Sequence, residues 1–143
     1  MQEFPHHYTV QGLSYGRRRG VALSSKGLPG LDTDLPENFG GSGNDWSPET
    51  LLVAAVADCF SLAFRIVSKD LEWSELRCEV EGELDRIDRR TRFTTFRIEA
   101  HLTIPSESDR DRAKQLLEKA EHICVITNSV NGDVLLQTHV DVS

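Results

Sequence analysis

"SPETLLVAAVADCF", Ser47 to Phe60, is the stretch whose reading decides the fold. Ser47 is a good helix cap, Pro48 suits the first helical position, and Glu49 lies at the positive end of the helix dipole. Positions 51 to 57 are all apolar, and Phe60, Leu62, Ala63, Phe64, Ile66 and Val67 continue the theme. This predicts a helix apolar nearly all round, and such a helix is buried on nearly all sides. A two-layer fold covers only one stripe of a helix. A second copy of the chain is therefore expected to cover the rest, giving a homodimer with this helix in its interface. Asp58 and Arg65 lie almost two turns apart on one face. Charges in so apolar a helix need a partner or a water-lined pocket.

Working outward, the first 35 residues read as strands and turns. "YTVQGLSY" alternates in part, "RGVALSSKGL" looks like a second strand, and glycines punctuate both. "DLPENFGGSGNDW" is a loop. Past the helix, Leu76, Cys78, Val80 and Leu84 share one face of a strand, with Arg77, Glu79, Glu81 and Glu83 on the other. Phe96, Ile98, Ala100, Leu102 and Ile104 alternate in the same way with Arg97, Glu99, His101 and Thr103. This is the pattern of antiparallel strands with one wet face. "DRIDRRTR" is the turn between them. Ser106 and Asp109 resemble a capping box before a second helix, on which Ala113, Leu116, Leu117, Ala120 and Ile123 keep helical spacing. "CVITNSVNGD" is a polar turn with room for a short helical segment, and "VLLQTHVDV" is a last strand. The predicted order is β-β-(β)-α-β-β-α-β, an α+β fold in one domain over residues 1–143.

The chain has a net charge of -7. An acidic chain is poorly suited to nucleic acid, which needs clustered Lys and Arg. The N-terminus "MQEFPHHYTV" lacks the build of a signal peptide. No uninterrupted apolar run approaches the ~20 residues needed to span a bilayer. No membrane partner and a cytoplasmic location are expected. The five histidines show no metal-ligand spacing, and neither a metal nor a cofactor is expected.

The three cysteines, Cys59, Cys78 and Cys124, are too few and too dispersed for a disulfide scaffold. Cys78 sits on the apolar face of a strand, where a free cysteine behaves as a small hydrophobe. On local grounds Cys59 is either packing or a working thiol, and so is Cys124 at the junction between a helix and a polar turn.

"SPETLLVAAVADCFSLAF" resembles the central-helix signature of the OsmC/Ohr family of thiol peroxidases, and "EHICVITNSV" resembles that family's second cysteine motif. "ENFGGSGNDWSPE" looks like the glycine-rich lead-in. The Glu49-to-Cys59 spacing of ten and the Cys59-to-Cys124 separation of 65 residues add specificity. One departure is Val125, where the family usually has proline directly after its cysteine. The resemblance implies an antiparallel sheet wrapped around long central helices in an intertwined homodimer. It implies Cys59 as the peroxidatic thiol, Cys124 as the resolving thiol, Arg18 as the activating cation and Glu49 as its anchor. Arg17 and Arg19 are the fallbacks for Arg18.

Such chemistry needs a thiolate, because the anion attacks the O–O bond. Burial in an apolar helix raises a thiol's pKa, and a mid-helix position gains little from the dipole. A guanidinium from elsewhere in the fold would compensate. Glu49 and Cys59 lie roughly 15 Å apart along a straight helix, leaving room for one between them. The implied substrate is an organic hydroperoxide, favoured by an apolar lining of Phe60, Leu62, Phe64, Phe39 and Trp46, each of which also fits plain core. The implied reductant is a dithiol, a lipoylated protein or another small dithiol. Two other functions fit the residues: a non-catalytic protein binding an apolar small molecule, or a redox sensor using the same disulfide. Taken locally, the triple arginine reads as a solvated turn and Glu49 as a helix-start residue.

Overall fold

The computed structural model describes residues 1–143. Its elements are β1 (Gln11–Leu13), β2 (Val21–Ser24), β3 (Leu31–Thr33), α1 (Pro48–Val67), β4 (Glu75–Ile87), β5 (Arg90–Ile104), α2 (Arg110–Ile123) and β6 (Asp133–Val142). This is the predicted α+β order. Short 3-10 turns stand before α1, before α2 and after α2. The chain forms two compact units, Met1–Leu51 and Leu52–Ser143.

In the first unit, β1, β2 and β3 form an antiparallel sheet in sequence order. Gly20 enters β2 at φ 79°, and any Cβ there would strike the Thr33 carbonyl of β3. Only glycine holds that approach. The unit ends in the first turn of α1, capped as predicted. The Thr50 amide donates to Ser47 Oγ at 3.1 Å, and the Ser47 amide donates to Thr50 Oγ1 at 2.8 Å. Threonine fills the place that glutamate takes in the usual reciprocal cap.

The second unit holds the main core. α1 contributes Val56, Phe60, Ala63 and Phe64. β5 contributes Phe96, Ile98, Ala100, Leu102 and Ile104, and α2 contributes Ala113, Leu117 and Ala120. All five β5 residues lie on the face that alternation predicts. α1 sits close on β4: a Cβ on Gly82 would come 2.7 Å from Val53 and 2.8 Å from Phe93. Phe60 and Phe64 are core; Leu62, Phe39 and Trp46 are each about half exposed. In a single chain α1 buries only four residues, not the nearly complete cover expected, and Leu62 and Ile66 remain 52% and 62% exposed. Asp58 and Arg65 both face solvent, and Arg65 lies over the Trp73 ring. By length and composition α1 is a helix able to cross a membrane, a property that core helices of other folds share.

Two details correct the sequence reading. The sheet is mixed: β4 and β5 pair antiparallel as predicted, but β6 joins β5 in parallel. Parallel neighbours need a crossover, and α2 is that crossover. The strand pattern of β6 does not encode its direction. The capping box at α2 does not form either. Ser106 caps a 3-10 turn, Glu107–Asp109, without a side-chain hydrogen bond, and its hydroxyl pairs with Ser108 instead. Arg110 fixes this corner by two 2.8 Å hydrogen bonds to Glu107 and one to the Val140 carbonyl.

Candidate functional site

Cys59 sits on α1 between solvent-facing Asp58 and fully buried Phe60. It is therefore at the edge of the core, half-buried. Cys124 follows α2 and is wholly buried, 0% exposed. Its backbone leaves the helix in an extended conformation, φ -64° and ψ 114°. The turn after it is strongly held. The Cys124 carbonyl accepts from the Asn128 amide at 3.1 Å and from Thr127 Oγ1 at 3.2 Å, and Ser129 Oγ donates to the Val125 carbonyl at 2.8 Å. The predicted short helical segment is present as the 3-10 turn Thr127–Ser129.

This turn brings Cys124 against Cys59. Cys124 lies near enough to act on the Cys59 thiol, and the backbone N–H groups of Ile126 and Val125 act on its sulfur as well. Burial pushes the Cys59 thiol above its ordinary value. The Ile126 N–H pulls it back most, the neighbouring Cys124 thiol pushes it up, and the Val125 N–H pulls it down a little. The backbone donors were not legible in the sequence. Their direction depends on the turn geometry, and the nearest signal is Val125 itself: a proline there would carry no N–H.

Cys78 faces inward from β4, as predicted. Burial raises its thiol to about 11, against a hydrogen bond from Ser61 that lowers it, and the charge of Cys124 adds to the rise. It is a protonated thiol at neutral pH.

The other two predicted site residues lie in the first unit. Glu49 is half-buried, and its Oε1 is buried without a hydrogen-bond partner. A buried acceptor with no donor is costly and calls for one. The three arginines differ. Arg19 is engaged by Asp34 and by the Gly40 carbonyl, each at 3.1 Å. Arg18 is exposed and lies over the Tyr15 ring, 5.7 Å from its centroid. Arg18 and Arg19 line one cleft with Tyr15, Asp34 and Asp45.

Residues 41–139 match the family model of the OsmC-like protein. An uncharacterized protein of Bacillus subtilis, YmaD, is 27% identical over 96% of this chain and 95% of its own. An OsmC-like protein of unknown function from Vibrio cholerae is 15% identical, with a TM-score of 0.85 over 94% of this chain and all of that one. An organic hydroperoxide resistance protein from Legionella pneumophila is 24% identical, with a TM-score of 0.73 over 98% of this chain and all of that one.

Proposed function

The chain belongs to the OsmC-like protein family, and from that premise we propose that it is a thiol peroxidase that reduces organic hydroperoxides at Cys59. One observation carries the reading: Cys59 and Cys124, far apart in the chain, come close enough that the Cys124 thiol acts on the Cys59 thiol.

The chemistry follows from the thiols. The Cys59 thiolate attacks the terminal peroxide oxygen, and the O–O bond breaks. Cys59 becomes a sulfenic acid, and the departing alkoxide takes a proton to leave as the alcohol. The Cys124 sulfur then attacks the sulfenic sulfur, water departs, and a Cys59–Cys124 disulfide forms. An external dithiol supplies two electrons and two protons to restore both thiols. A small or protein-bound lipoyl group fits that role.

Burial makes the Cys59 thiolate scarce, so the mechanism needs donors. The Ile126 and Val125 N–H groups supply part. In this proposal the Arg18 guanidinium supplies the rest, anchored by Glu49, from the same chain or from the partner subunit. The partnerless Glu49 Oε1 supports an arginine anchor. Arg18 is preferred over Arg19 because Arg19 is already paired.

The same reading includes a homodimer, one functional domain and a reducing, cytoplasmic setting. The exposed apolar face of α1 supports the dimer. The family match crosses the boundary between the two units, which supports one domain. Three free thiols suit a reducing compartment.

Purified protein with cumene hydroperoxide and dihydrolipoamide tests the activity. Turnover is expected in the wild type and absent in Cys59→Ser. Unchanged turnover in Cys59→Ser would end the proposal. Slow, scattered oxidation without turnover would favour binding of an apolar small molecule instead.

A further inference from the structure

The outer face of the β4–β5–β6 sheet carries a second cluster, remote in character from the thiols. β5 and β6 run parallel with His101 opposite His139, and Glu99 precedes His101 by two residues on the same face. Glu99 Oε1 lies 3.3 Å from His101 Nε2 and 3.1 Å from His139 Nε2. The three donor atoms all lie within 4.8 Å of one another. The two imidazoles stack, with centroids 4.4 Å apart and planes 10° from parallel. All three residues are half-buried.

We propose that Glu99, His101 and His139 bind a first-row divalent transition-metal cation, with zinc the simplest occupant. Zinc bonds of about 2.0–2.2 Å to nitrogen and oxygen place neighbouring tetrahedral ligands roughly 3.3–3.5 Å apart. The two Glu99-to-histidine separations are already close to that, and the two imidazole donors lie within 4.8 Å of each other. Two imidazoles and one carboxylate form a borderline donor set that suits zinc, cobalt, nickel or copper. Calcium and magnesium demand more oxygen ligands than this face offers. Three protein ligands on a partly open face leave a fourth position for water, so the ion would exchange rather than be sealed in.

The same distances also suit two imidazole N–H groups donating to Glu99 Oε1. The two arrangements differ in protons. The hydrogen-bonded cluster keeps them on the Nε2 atoms, and the metal takes their place. Binding would also turn each ring about its Cβ–Cγ bond, so that two stacked lone pairs converge on one point. The ion would staple β5 to β6, strands whose covalent link runs through α2. A ligand that binds only the folded chain stabilises it. Histidine spacing gave no hint of the site, because strand pairing alone brings His101 and His139 together.

Untagged protein stripped with EDTA and titrated with Co2+ tests the proposal by absorbance. One equivalent is expected, with ligand-field bands and none of the intense thiolate-to-cobalt charge transfer that Cys59 and Cys124 would give. Glu99→Gln and His139→Gln should each weaken binding at least about tenfold with unchanged circular dichroism. In the wild type, Zn2+ should raise Tm and shift the ring resonances of His101 and His139, not those of His6, His7 and His122. No binding below millimolar free metal, a sulfur charge-transfer spectrum, or ring shifts confined to the other histidines would overturn it.

Discussion

Val125 supplies the smaller part of the backbone help that the Cys59 thiolate receives, after Ile126. Burial holds the Cys59 thiol above its ordinary value, so its reactivity should rise with pH. The Val125 N–H is one of two backbone groups that oppose that rise. Val125→Pro would remove it. The change should be tolerated locally, because Cys124 already has the extended backbone that a following proline requires. Iodoacetamide alkylation of Cys59 across pH should show a higher midpoint in this variant, and an unmoved midpoint would mean the N–H does not act on the sulfur. Cys78 behaves differently. Its thiol is raised to about 11 on folding, so its neutral form stabilises the fold below the unfolded value of 9.0, and that contribution is lost as pH rises through about 11. The sequence marked Cys78 as packing from strand alternation alone. It left Cys59 and Cys124 open, because their meeting is non-local: a helix face and the far end of another helix, joined only by core packing.

Among the elements, β4 and β5 were the most legible, since alternation over a long stretch has one physical reading. Their turn was legible as a turn but not in its geometry. Asp88 and Arg89 both take positive φ, 51° and 66°, the conformation of a tight hairpin in which glycine is usual at the second position. Holding a side chain there costs about 1–2 kcal/mol, offset in part by the greater freedom of glycine when unfolded. Arg89→Gly should therefore stabilise the protein by about 0.5–1 kcal/mol. A thermal melt checks this, and an unchanged or lower Tm would refute it. The direction of β6 was not legible, because side-chain alternation is the same in parallel and antiparallel strands. The corner before α2 was misread for a related reason: two residues at capping spacing do not force the hydrogen bonds, and the Arg110 contacts to Glu107 and Val140 set the geometry instead.

At the scale of the whole molecule, α1 is more apolar than one chain explains. Leu62 and Ile66 are more than half exposed on a helix that the sequence reads as buried nearly all round. A second copy seated on this face would resolve the mismatch by removing apolar area from water. Ile66→Glu should then convert a dimer to a monomer in sedimentation equilibrium, and a wild-type monomer would contradict the dimer directly. The central claim is narrower and concerns two sulfur atoms. Its most direct test is peptide mapping by mass spectrometry after one equivalent of cumene hydroperoxide, without reductant. The account predicts a single disulfide joining Cys59 to Cys124, with Cys78 still a free thiol. Cys59 oxidised to sulfinic acid beside an untouched Cys124, or a disulfide that uses Cys78, would contradict it.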